Sequence, residues 1–547
     1  MQKPGGEEFG DPTLAAPALL PLSADYPSLD GRAVVPLWAA VGCLPLTYRF
    51  SLVVGSPLAA MLLMAATVAF LAGLALLSSA SAARYRVGAT VQHRAAWGPR
   101  GARWIAGLRW GVTVIWSAAW ASQLGDWLAR LALMGVGRRQ MGWRLPGDGG
   151  IALITWTAAS FLLLVAWLIA EGGVRRCRRS GWAVLVVGSL ATSALVVFGV
   201  VRLPLFTGWL QELAVAFSTG QTLRQLVYVT AWSLPGLLAV PEWERLRGRV
   251  AGRRLGGAML PAVAMLAATG LVALGGAFAW ASELMRGRMD GHPIADAAGF
   301  AGLGGGMVAA LLVTCVFWLA VPVIGLYAGA RALVEIWPQR LRYEAAAAVT
   351  ATATFVAVPL TGYLAAHDIQ LESVLFVLFP IAGVVICDEV IRRRGELVLE
   401  ELYRYSRQYG PTWGYSAAGM VALMSGWCLH PDVVIHALDQ LPLAATATKW
   451  MSSDGLLVTA APLSAVIAGA TFVVLRPAET WVANAGAKRR ASASAAARHS
   501  PPAPVDESST TEKLEHPRFV SKPLTYPSDE PDAGDATSTD LDKPPSQ

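Results

Sequence analysis

Hydrophobic stretches recur along the chain at about 33–55, 57–80, 103–124, 151–170, 181–201, 223–241, 258–281, 306–330, 345–365, 371–391, 413–430 and 456–476. Each is close to the ~20 residues that a helix needs to cross the hydrocarbon core of a bilayer. No water is available there, so backbone polar groups must bond within the segment, and helices are the expected form. The pattern predicts an all-α polytopic membrane protein with about twelve transmembrane helices.

The polar positions give an orientation. Segments after runs 2, 4, 6, 8 and 10, such as RYRVGATVQHRAAWGPRGAR and EWERLRGRVAGRR, carry 22 Lys/Arg, against about 9 after the odd-numbered runs. The excess of cations on cytoplasmic loops then places both termini in the cytoplasm, as an even number of spans requires. Four arginines in LARLALMGVGRRQMGWR, after run 3, fall on the opposite side.

Composition adds exclusions. At 54% hydrophobic, 15% charged and a mean hydropathy of +0.47, the 547-residue chain as a whole is not a soluble enzyme, a nucleic-acid-binding module or a disordered chain. Its 21 Trp and 54 Gly suit a membrane protein. The net charge of +7 is absorbed by the loops, so no nucleic-acid partner is required. Cys43, Cys177, Cys315, Cys387 and Cys428 are scattered, which supports neither a disulfide framework nor a metal site. No histidine forms HExxH or pairs with a nucleophile, so an enzyme finds no support. The N-terminus lacks the basic and apolar regions of a cleaved signal peptide. Three regions are expected: a cytoplasmic tail over 1–32, a transmembrane domain over 33–476, and a disordered cytoplasmic tail over 477–547, rich in Ala, Ser, Pro, Thr and Asp. The host is expected to be the plasma (inner) membrane, and the C-terminal tail offers a place for a cytosolic partner.

Two runs carry helix-breaking pairs, Gly42 with Pro45 in run 1 and Pro235 with Gly236 in run 6. Proline removes an intrahelical bond and glycine permits irregular backbone. Breaks five spans apart, in opposite orientations, fit two inverted five-helix repeats around a midplane site. The alternative is that both pairs merely kink their helices, as Pro322 would in run 8. On run 3, Trp116, Trp120 and Gln123 are spaced i, i+4, i+7 and share one helical face. Indoles offer flat stacking surfaces, and an amide can hydrogen-bond a ring edge. The competing reading is core packing, with Trp104, Trp110 and Trp127 as interfacial anchors. No run carries a carboxylate deep inside; Arg49 is the one deep charge, near the end of run 1.

Four stretches resemble a known family. ARYRVGATVQHRAAWGPRGARWIAGLRWGVTVIW (83–116), LLAVPEWERLRGRVAGRRLG (237–256), EIWPQRLRYEAA and FPIAGVVICDEVIRRRGELVLEELYR are similar, in order, to conserved segments of nucleobase–cation symporter family 1, the permeases for purines, cytosine, uracil, allantoin and hydantoins. The resemblance implies a LeuT-like five-plus-five inverted repeat with two extra helices, and a planar heterocycle held between tryptophans of helices 3 and 6. The helix 3 Trp corresponds to Trp116. The helix 6 Trp corresponds to Ser233, with Trp232 one residue, or about 100°, away. The family's helix 8 Ser, Thr and Asn correspond to Leu319, Ala320 and Gly325. Sodium needs oxygen ligands that leucine and alanine lack, so the resemblance implies the helical frame without the sodium hydroxyls. Glu242 and Asp388, beside arginines at helix ends, are expected to form structural or gating ion pairs. The implied function is a permease for a small planar nitrogen heterocycle, working by alternating access without a cofactor and coupled to protons, to sodium through a reduced site, or to neither. The alternative is a non-transporting sensor or scaffold that kept the frame.

Overall fold

The computed structural model describes residues 70, 73–135, 152–183, 186, 190, 227, 230–246, 305–366, 371–394, 396–403, 414–430 and 453–499. Runs 1 and 7, most of run 5, and with them Gly42, Pro45 and Arg49, lie outside the described residues. The chain divides into two units, Met1–Lys488 and Arg489–Gln547. Apart from the last residues of the C-terminal helix, the helices described belong to the first. In order they are α1 (73–85), α2 (Ala89–Gly135), α3 (Leu153–Glu171), α4 (173–183), α5 (230–237), α6 (Val240–Glu244), α7 (Gly305–Ile336), α8 (Tyr343–Ala366), α9 (Leu371–Phe376), α10 (Leu378–Ile386), α11 (Leu399–Leu402), α12 (Ala417–Trp427) and α13 (Ser453–His499). Among the described residues, five helical stretches are long and apolar enough to cross a membrane.

Burial ranks these helices. The span Leu319–Ile336 of α7 is 89% buried, whereas those of α3 and α8 are 33% buried. Outer helices therefore present an apolar face to their surroundings, with Phe161, Val356 and Val474 exposed. In a soluble protein that face would be a liability; in a bilayer it is solvated by acyl chains. The long arm of α2 and α7 form the centre, and their side chains supply much of one contiguous hydrophobic cluster.

Close approach between helices depends on missing side chains. A Cβ at Gly125 would stand 2.5 Å from the Thr155 carbonyl oxygen of α3, and one at Gly383 would meet the Ala465 oxygen of α13 at 2.1 Å. Small residues are the usual means of bringing backbones together when lipid competes for apolar contact.

Three local departures from regular helix shape the site. Gly98 (φ 75°, ψ 168°) turns α2 through a corner, and Pro99 starts the long arm with its φ already set for a helix. α5 continues through Pro235 and Gly236 and gives way at Leu238–Ala239. The break predicted at the Pro–Gly pair thus lies just downstream. There the Ala239 N–H donates to the Gly236 carbonyl at 3.1 Å, a tighter turn than an α-helix makes. Finally, α10 runs into a π-helical turn, Cys387–Arg392, where the Arg393 N–H reaches back to the Asp388 carbonyl.

Two boundaries differ from the hydropathy pattern. Run 8 ends near residue 330, yet α7 continues to Ile336 because Arg331 and Glu335 find buried polar surroundings instead of loop solvent. α13 likewise passes Pro477 and ends at His499; AKRRASASAAARH is rich in strong helix formers.

Candidate functional site

The structure brings the tryptophans of α2 and α5 into contact. Trp116 is fully buried, and its indole Nε1–H donates to the Trp232 carbonyl at 2.9 Å. The rings of Trp120 and Trp232 meet edge to face, centroids 4.9 Å apart and planes at 67°. Trp116 and Trp120 share a face of α2 because they are one turn apart, as their spacing requires. Trp232, not the adjacent position, joins them, through its carbonyl and its ring. Ser233 is buried beside it, and Gln123 is half-buried one turn beyond Trp120.

α7 closes the other side. A Cβ at Gly325 would lie 2.0 Å from Ser117 Oγ and 3.2 Å from the Trp116 ring. Only glycine lets α7 approach α2 this closely. In this conformation the Trp116 ring is thus enclosed by the α7 backbone and the end of α5. A planar guest on that ring requires these helices to separate.

The opposite face of α7 lines a small cavity of about 10 Å³, room for a single water, with Val174, Cys177, Trp243, Ala320 and Tyr327 among its walls. Leu319 packs against the hydrophobic core. Neither Leu319 nor Ala320 carries a side-chain oxygen, and Ser180 and Tyr327 supply the hydroxyls of this cavity. Among the described residues these positions therefore offer sodium fewer side-chain oxygens than it takes.

Past the tryptophans, a buried ionic cluster surrounds the break in run 6. Arg109, two turns before Trp116 on α2, donates from Nη2 to the Leu238 carbonyl at 2.8 Å. A freed carbonyl at the break is thereby satisfied by a guanidinium. From α6, Glu242 accepts the Ala89 N–H at 2.7 Å and Arg331 Nε at 3.1 Å, and lies 3.6 Å from Arg245 Nε. Burial alone would raise the Glu242 carboxyl. The guanidiniums of Arg245 and Arg331, with the Ala89 amide, outweigh burial and hold it well below the usual carboxylate range. Beside it, His93 is held neutral: burial, and then the positive charge of Arg109, lower its imidazole well below the ordinary value.

A second cluster repeats the device at the end of α10. Arg393 bridges Asp388 and Glu389, both at 2.7 Å, and Arg392 reaches Asp388 at 3.2 Å. Glu389 accepts the N–H and the hydroxyl of Ser81, both at 2.9 Å. In each cluster a carboxylate at a helix end holds a backbone N–H of the α1–α2 region. Glu242 and Asp388 are thus ion-paired, as their neighbouring arginines suggested. Sequence reasoning missed Glu335, Glu389 and Arg109. For Glu335 the usable signal was its i+4 spacing from Arg331, which continues the period of α7.

No family model matches this chain, and no curated protein sequence is similar to it. Solved structures do match in fold. Mhp1, a nucleobase-cation-symport-1 family transporter, in a closed conformation with bromovinylhydantoin bound, aligns with a TM-score of 0.61 and 16% identity, covering 86% of this chain and 96% of that one. The inward facing conformation of Mhp1 aligns at 0.55 and 16% identity, over 86% and 94%. The likeness is one of fold, and it is greater to the closed form.

Proposed function

We propose that this chain is a multi-pass permease of the plasma (inner) membrane, with both termini cytoplasmic, and a divergent relative of the nucleobase–cation symporters. It moves a small planar nitrogen heterocycle by alternating access. The observation that carries this reading is the meeting of Trp116 and Trp120 with Trp232 beside the interrupted helix. Three indoles from two helices supply flat apolar faces, and the adjacent break supplies backbone groups that a heterocycle's edge can bond. The fold of a transporter whose structure holds a hydantoin supports the same class of guest. Gly325, where the resembling family carries an asparagine, leaves ring-edge recognition to Gln123, Ser233 and the α5 backbone. Sodium plays no part in this proposal, since Leu319 and Ala320 offer it nothing.

Purified protein titrated with radiolabelled allantoin, hydantoin and nucleobases, with and without sodium, tests the reading. One of these is expected to bind, to quench tryptophan fluorescence, and to be taken up by proteoliposomes. Stacking on one aromatic face is worth ~1–3 kcal/mol, so Trp116→Ala should weaken binding roughly 5- to 150-fold. Unaltered affinity in that variant refutes the site. Binding without uptake favours the sensor or scaffold reading instead.

A further inference from the structure

Glu335 has no role in the substrate site, yet it is among the most buried charged residues described, at 2% exposure. Its Oε1 has no hydrogen-bond partner, and no guanidinium among the described residues lies within ion-pair distance of it. Arg331, one turn earlier on the same helix, gives its Nε to Glu242 instead. The two carboxylates converge. A Cβ at Gly88, in the link between α1 and α2, would meet Glu335 Oε1 at 2.8 Å and Glu242 Oε1 at 3.1 Å. Both oxygens are within reach of one point, which puts them inside the ~4–6 Å over which like charges act on each other.

Glu242 is committed to its negative charge by an amide and two arginines, whereas Glu335 has only the Thr90 hydroxyl and guanidiniums beyond ion-pair distance to support one. From resting on the transport reading above, we infer that Glu335 is the site of a coupling proton, taken up and released as the carrier changes state. Water delivers the proton to a carboxylate oxygen, and the same O–H bond breaks on release. With the proton on, the pair carries a single negative charge, and the Glu242 clamp on Ala89 persists. With it off, Glu335 sets a second negative charge beside Glu242 and Arg245 Nη1 at Gly88, and this alters the charge balance that holds α6 and α7 to the α1–α2 link.

The charged and titratable groups around Glu335 come from several elements. α2 contributes Arg109, with the Thr90 hydroxyl beside the carboxyl and His93 further along. Glu242 is from α6 and Arg245 follows it; Arg331 is on α7 itself; Tyr403 lies after α11. His93 is neutral and Glu242 is fixed as an anion, so neither competes for the proton.

Two measurements on the full chain test this. Infrared pH-difference spectra of the purified protein should show a protonated carboxyl band that is missing in Glu335→Gln. The same band in both proteins overturns the inference. In proteoliposomes, uptake of radiolabelled allantoin, hydantoin and uracil is compared under an inward proton gradient and in gradient-free exchange. For the compound that is carried, the gradient should stimulate the parent at least 5-fold. Glu335→Gln should lose that stimulation with exchange still detectable, and Glu335→Asp should recover part of it. Exchange with gradient stimulation intact in Glu335→Gln refutes this inference alone. Absence of exchange in the parent refutes the transport reading and this inference with it.

Discussion

Replacing Glu242 by Gln removes one charge and leaves the volume unchanged, so the response reports on the ionic clamp itself. The native carboxylate is 1% exposed and accepts two hydrogen bonds, from the Ala89 N–H at 2.7 Å and Arg331 Nε at 3.1 Å, with Arg245 Nε 3.6 Å away as a second ion-pair partner. The amide of glutamine turns one acceptor into a donor, so either the Ala89 N–H or Arg331 loses its partner. Two buried guanidiniums also lose their direct counterion. Removing one side of a buried pair costs ~3–5 kcal/mol, which is about two to three and a half decades in an equilibrium constant. Glu242→Gln is therefore expected to lower the thermal stability of the detergent-solubilised full chain by several degrees, read by fluorescence-detected size exclusion after heating. Arg331→Gln added to it should cost less than the two single changes together, because the second change removes an already orphaned charge. The pH dependence has a fixed sign. The folded-state carboxyl lies below its unfolded value of ~4.3, so its stabilisation is complete above that pH and is lost on acidification toward the folded value. The gap between parent and variant should narrow below about pH 4. Identical melting of parent and Glu242→Gln at neutral pH, or additive losses in the double variant, would refute the clamp.

Two further outcomes follow from packing. Gly325→Ala should destabilise the helix pair by ~1–3 kcal/mol, because its Cβ would stand 2.0 Å from Ser117 Oγ. Adding Ser117→Ala should restore most of that loss in the same melting assay; no rescue would mean that α2 and α7 are not so close. Burial raises the Cys177 thiol to about 12, whereas Cys428 is exposed. In variants retaining one of these two as the sole cysteine, maleimide at neutral pH should label Cys428 and spare Cys177, which mass spectrometry reads directly.

Much of the architecture is legible from local pattern because the bilayer makes it so. A run of ~20 apolar residues has few alternatives to a helix once water is absent. The shared face of Trp116 and Trp120 follows from helical period alone. The arginines beside Glu242 and Asp388 likewise announce ion pairs before any packing is known. None of these depends on where other helices lie.

The remainder is decided between helices. Whether Trp232 or Ser233 meets Trp116 turns on a rotation of about 100° per residue, and that rotation is set by packing of α5 on α2. The break falls at Leu238–Ala239 because Arg109, 129 residues earlier in the chain, stands ready to hold the freed carbonyl. Glu335 reads as a loop residue until α7 is extended and enclosed. Its environment then comes from Thr90, Arg109 and Glu242, brought together over distances along the chain that no local period records. Hydrophobicity along the chain determines that helices form and span. The meaning of each polar residue within them depends on which neighbours share its low-dielectric surroundings, and tertiary structure alone supplies those.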